Sequence, residues 1–252
     1  MLGTIMSEQA LLKGFGVIIA SLIIMVAIDV WRRRTGNKRR TTSPYRQWIA
    51  TMILLWSIAA IAVWAWVASG RTITDLGFHW GQGAAWKIGL AWVLAIAFLS
   101  QQLVQIFVIR RDEEAREEVR RMVFDSGDYD QIMPRRRQDV WLFQLLAVTA
   151  GITEEIVFRA FLISFFALVM PIWFAAAAAL ALFIAGHAYQ GVKGLIRILP
   201  VSIVLTLCYV LSGSLWPGII LHVAVDVFAG ILVWIVLPRD GYVEARTAEQ
   251  AT

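Results

Sequence analysis

Two adjacent glutamates and an arginine stand inside a long apolar run, in the stretch GITEEIVFRA at residues 151–160. An ionisable group placed in hydrocarbon costs about 2.5–3.5 kcal/mol on insertion scales, so each one calls for a partner or a function. Glu155 and Arg159 are spaced i,i+4, where helical side chains meet and opposite charges neutralise each other. Glu154 is then left over. It points about 100° away around the helix, free to face a polar cavity or a second helix.

Two further apolar runs carry groups that could use such a carboxylate. In LFIAGHAYQ, Phe183 and His187 share a helical face, and His187 follows a glycine that permits close approach. In LHVAVDVFAG, His222 and Asp226 are again i,i+4, close enough to hydrogen-bond or to contact one ligand. A single histidine in such a run is ordinarily a satisfied core residue; two of them with a spare glutamate point to a shared site. The third histidine, His79, lies in a loop and reads as solvated. The lone Cys208 excludes an intramolecular disulfide and reads as a small buried hydrophobe.

The elements that must bring these residues together are membrane helices. Of 252 residues, 59% are hydrophobic, and the mean hydropathy is +0.68. Continuous apolar stretches of about 18 or more residues span the ~30 Å hydrocarbon core as helices, whereas a barrel would alternate. The expectation is an all-α, polytopic membrane helix bundle of about seven hydrophobic segments, near 14–31, 48–68, 86–109, 139–170, 172–196, 198–212 and 216–237, the sixth short or re-entrant. The first is followed by AIDVWRRR rather than a small-residue cleavage site, so it reads as a retained span. Trp31, Trp48, Trp86, Trp141, Trp173 and Trp216 lie near span ends, as an aromatic belt requires.

The net charge of +5 could suggest nucleic acid, but 19 of the 23 Lys and Arg fall in the loops or tails after the first, third, fifth and seventh segments. That distribution is a topology signal: it places the N-terminus outside and the C-terminus in the cytoplasm, with no nucleic-acid partner. Residues 1–138 read as a three-helix membrane region ending in a charged cytoplasmic loop, 110–138, which by default is a short exposed helix and a solvated linker. Residues 139–237 read as the membrane core holding the site, and 238–252 as a cytoplasmic tail.

A depth estimate then asks whether the charged groups can meet. Glu154 lies 16 residues before Met170 and His187 lies 16 residues after Pro171, where the chain turns. At about 1.5 Å per residue both sit roughly 24 Å from that turn, in the cytoplasmic third of the membrane. His222, a short way back from the SGSLWPG turn, reaches a similar level if that turn is packed inside protein.

The three pieces, EEIVFR as EExxxR, FIAGH as FxxxH and HVAVD as HxxxN/D, resemble the CPBP family of intramembrane proteases, which includes the CAAX prenyl endopeptidases and bacteriocin-processing enzymes. The resemblance covers about residues 139–237. It implies hydrolysis of a peptide bond in a membrane-associated or lipidated protein or peptide. Glu154 would be the general base that activates a water, and His187 would hold that water and shuttle its proton. His222 and Asp226 would stabilise the oxyanion, while Glu155 and Arg159 would fix the helix and the orientation of Glu154. Many family members place Asn where this chain has Asp226, and an ionised Asp cannot donate to an oxyanion. Asp226 is therefore protonated, orients His222, or ligates a metal. Glu154, His187, His222 and Asp226 form an N/O set that could hold Zn²⁺ with an open water position; a metal-free glutamate mechanism is preferred. Two rivals are a catalytically silent scaffold or bacteriocin-immunity protein of the same fold, and a proton- or metal-coupled transporter. The expected location is a bacterial cytoplasmic membrane.

Overall fold

The computed structural model describes residues 2–35, 44–124, 134 and 136–237; the tail 238–252 and the stretches 36–43, 125–133 and 135 lie outside the described residues. All regular structure among the described residues is helical. The helices are α1 (Leu2–Arg34), α2 (Pro44–Ala68), α3 (Ala85–Arg111), α4 (Glu113–Phe124), α5 (Val140–Glu154), α6 (Ser164–Ala167), α7 (Ile172–Gly186), α8 (Gly191–Ser212) and α9 (Trp216–Val236). Between α5 and α6 the chain stays helical but widens into a π-helix, Glu155–Ile163.

Five stretches are long and apolar enough to cross a membrane: Glu8–Ile28, Tyr45–Ala68, Ala85–Arg111, Ala188–Ser212 and Trp216–Val236. The fifth segment expected from the sequence ends at Gly186 rather than near 196, so the short apolar helix is α7, with 15 residues. The sixth is correspondingly longer than expected. It starts at Gly191 and runs for 22 residues, so it is not short. The break lies in GHAYQG, where a single 3-10 turn, Ala188–Gln190, leads into Gly191 at φ +71°, a conformation that side-chain-bearing residues resist. Lys193 and Arg197 had suggested a loop; they are exposed on the first turns of α8, and Pro200 is accommodated within the helix.

The N-terminal helices wrap the site-bearing ones. α2 packs on α1 and α5, α3 packs on α8 and α9, and α5 runs along α9. Ala62, Ala65 and Trp66 of α2, Phe161 and Ile163 of the π-helix, and Ala175, Ala179 and Phe183 of α7 share one core with Leu11 and Ile18 of α1. Trp48 is a correction to the aromatic belt: it is 3% exposed, edge-on to Phe143 and Tyr45, and so belongs to the α2–α5 packing. Nearby, the Tyr45 hydroxyl and Arg136 both donate to the buried Asp139 at the start of α5.

The SGSLWPG turn is buried as the depth estimate required. Ser212 and Ser214 are fully buried beneath the loop 70–84, whose Gln82 N–H donates to Ser212 O at 2.9 Å; in return, Leu215 N–H donates to Gly77 O at 3.0 Å. That loop is itself braced by Asp75. The Thr72 N–H (2.8 Å) and hydroxyl donate to its carboxylate and hold it below the usual carboxylate range.

The charged loop 110–138 is more than a solvated linker. Ala115 and Val119 on α4 pack against Ile109, Val233 and Val236. Arg120 Nε donates to Val236 O at 3.0 Å, and Arg137 donates from Nε and Nη2 to Leu237 O at 3.2 and 3.0 Å. Two cations thus satisfy carbonyls at the C-terminal end of α9, where the helix dipole favours positive charge. Replacing both (Arg120→Gln with Arg137→Gln) is expected to cost about 1–3 kcal/mol of stability, read as a lower thermal midpoint in detergent. An unchanged midpoint would show that these caps do not hold α9.

Candidate active site

The site begins where the helix changes pitch. Glu154 is the last residue of α5 and Glu155 the first of the π-helix, so the α-helical step assumed from the sequence does not apply across them. π-helical turns are rare and concentrate at functional sites. Here the turn sends two neighbouring carboxylates to different partners.

Glu155 and Arg159 are each 1% exposed, and Arg159 Nη1 lies 2.9 Å from Glu155 Oε1, close but not aligned as a hydrogen bond. Their i,i+4 pairing stands as the spacing suggested. Arg159 is held further by Nη2 on Ser202 O at 3.4 Å and by its guanidinium carbon 4.3 Å over the Phe183 ring. A third group joins the pair from α9. His222 Nδ1 lies 2.8 Å from the same Glu155 Oε1.

Glu154 is the carboxylate left over. Its Oε2 lies 3.8 Å from His187 Nε2 and 3.8 Å from His222 Nε2, and its side chain retains 15% exposure. His187 caps the C-terminus of α7, one residue beyond the helix in which the sequence placed it, and its Nδ1 lies 2.8 Å from Phe183 O. A carbonyl only accepts, so His187 Nδ1 carries the proton; a carboxylate likewise fixes the proton on His222 Nδ1. In their neutral forms both rings therefore turn an Nε2 lone pair toward Glu154.

The structure brings Glu154, His187, His222 and Asp226 into one cluster beside Glu155 and Arg159. The Oδ2 of Asp226 is 3.7 Å from His222 Nε2, beyond a hydrogen bond, and its side chain is a third exposed. Glu155, not Asp226, orients His222. His79 lies apart in the loop 70–84, where its Nδ1 accepts from Gly81 N–H at 3.0 Å. Cys208 is fully buried, as a small hydrophobe would be.

As a ligand set for Zn²⁺ the four residues do not fit. Among the described residues no three His, Cys, Asp or Glu side chains are gathered closely enough to hold a metal ion. Successive donor atoms, His187 to Glu154, Glu154 to His222 and His222 to Asp226, stand 3.8, 3.8 and 3.7 Å apart.

Phe183 is the side chain whose importance the sequence understated. Its ring centroid is 4.3 Å from that of His187 and 6.2 Å, edge-on, from that of His222, while Arg159 lies over the same ring. The i,i+4 spacing to His187 was the available signal. Nothing in the sequence marked the contact to Arg159.

Residues 136–228 match the family model described as type II CAAX prenyl endopeptidase, Rce1-like. No curated protein and no solved structure matches the chain. The matched stretch contains all three motif pieces and every residue of the cluster, and it is flanked and crossed by membrane-length helices. The chain is a multi-pass membrane protein whose residues 136–228 are similar to the Rce1-like type II CAAX prenyl endopeptidases.

Proposed function

We propose that this protein is an intramembrane endopeptidase in which a water activated by Glu154 hydrolyses a peptide bond of a membrane-associated or lipidated protein or peptide. One observation carries the proposal: an unpaired carboxylate faces two imidazoles whose proton positions are fixed from behind. Three acceptors at 3.8 Å cannot satisfy one another. A water can, donating one O–H to Glu154 Oε2 and the other to an imidazole Nε2.

The chemistry follows from those proton positions. Glu154 takes a proton as the water oxygen attacks the scissile carbonyl carbon, giving a tetrahedral intermediate. His187, with its free Nε2, relays that proton toward the leaving amine. The C–N bond then breaks, leaving a new carboxylate and a new amine, so water is added across the bond. His222 has already used its Nδ1–H on Glu155, so it donates from Nε2 to the oxyanion only as the imidazolium. Asp226 stabilises that form rather than donating itself. The Rce1-like match supports a peptidase and does not choose among its substrates; the positive-inside pattern favours a site opening toward the cytoplasm.

Glu154→Gln is expected to lower cleavage of a reporter peptide by about 10²–10⁴-fold while leaving the thermal midpoint in place. Native-level cleavage by that variant would remove Glu154 from the mechanism. Incubation with EDTA or phenanthroline is expected to leave the rate unchanged, and loss of activity restored by added Zn²⁺ would reinstate a metal. Arg159→Met is expected to destabilise by about 3–5 kcal/mol, because it strands a buried carboxylate. Arg159→Met with Glu155→Leu should recover the midpoint but not the activity, since His222 loses its partner. Recovery of both would reduce the pair to structure alone.

A further inference from the structure

The helix that carries His222 has a residue missing a side chain where Glu155 arrives. Gly218, His222 and Asp226 follow one another at i,i+4 along α9 and so share one face. A β-carbon at Gly218 would lie 2.7 Å from Glu155 Oε2, 3.5 Å from its Cδ and 3.9 Å from its Cγ. By contrast, a β-carbon at Gly16 or Gly89 would meet nothing within 4 Å. The space at Gly218 is filled by the carboxylate itself.

Glu155 has little freedom to retreat. Its other oxygen is shared by Arg159 Nη1 at 2.9 Å and His222 Nδ1 at 2.8 Å, and every residue of the π-helix from Glu155 to Ile163 is buried. A β-carbon at position 218 would have to push the carboxylate sideways, toward or away from the His222 ring. Helix propensity gives no reason for glycine there, since alanine is the better helix former. The SGSLWPG stretch reads as turn chemistry, which conceals that Gly218 already belongs to the first turn of α9.

We infer that Gly218 is a positioning residue for the hydrolysis: its absent side chain seats the Glu155 carboxylate so that this carboxylate fixes the ring and tautomer of His222. The inference rests on the peptidase reading for its catalytic consequence, but not for its geometry. Gly218 acts through Glu155, whose atoms are the ones a β-carbon there would meet.

The test is Gly218→Ala in the full chain, reconstituted in nanodiscs, with Glu154→Gln alongside. Cleavage of a reporter peptide by Gly218→Ala is expected to fall about tenfold to hundredfold in kcat, with KM within about twofold and the pH profile of kcat/KM displaced, as simple packing damage would not do. Because the chain has only three histidines, ¹⁵N-histidine spectra give a readout that needs no activity. The alanine variant should shift the signals assigned to His222 through His222→Ala, and spare those of His79. Unchanged His222 signals together with unchanged kcat would overturn the inference. If Glu154→Gln cleaves normally, the peptidase reading falls, and the His222 signals alone still decide the role of Gly218. Should Gly218→Ala fold poorly, adding Glu155→Asp draws the carboxylate back by one methylene. Restored folding of that double variant supports the clash, and a double variant as unstable as the single contradicts it.

Discussion

The carboxylate of Glu155 is the constraint around which the membrane core is arranged. An ionised group almost completely removed from water must be met by charge and by hydrogen bonds, or it will not stay ionised or stay buried. Arg159 meets it from the same helix and His222 meets it from α9. Arg159 in turn needs its own partners, and finds the Ser202 carbonyl on α8 and the face of Phe183 on α7. One buried charge therefore ties the π-helix to α7, α8 and α9. A fully apolar substitute would pack at least as well, but it would not fix which nitrogen of His222 carries a proton.

That division of labour explains two adjacent glutamates. Glu155 is spent on structure and on orienting an imidazole; Glu154, one residue earlier and across the change of helical pitch, is kept free of strong partners. A base that is to accept a proton during a reaction cannot already be saturated by donors. The imidazoles that face it are fixed from behind, one by the carbonyl of Phe183 and one by Glu155, so under the proposed mechanism the side facing Glu154 is preorganised without being neutralised.

Much of this could be read from residue types and spacing, because apolar length, i,i+4 pairing and charge in a greasy run each have a direct physical meaning. The Glu155–Arg159 pair and the convergence of the segments holding Glu154, His187 and His222 are of that kind. What could not be read depends on contacts between segments. The π-helix has no residue signature, so the true directions of Glu154 and Glu155 were hidden. The end of α7 at Gly186 was obscured because the apolar pattern continues through GHAYQG, and Lys193, Arg197 and Pro200 disguised the start of α8. His222 had a carboxylate at i+4 in its own helix, and the nearer one came from another. Arg120 and Arg137 looked solvated because the carbonyls they cap belong to a helix more than ninety residues away.

The most direct test of the central claim is a single turnover in ¹⁸O-labelled water, with enzyme in excess over a cleavable membrane peptide. If Glu154 activates water for direct attack, the new carboxylate carries one ¹⁸O from the first turnover and the peptide containing Glu154 stays unlabelled. A first-turnover product without ¹⁸O, with the label found instead in the side chain of Glu154 or another residue, would mean a covalent acyl intermediate and contradict it.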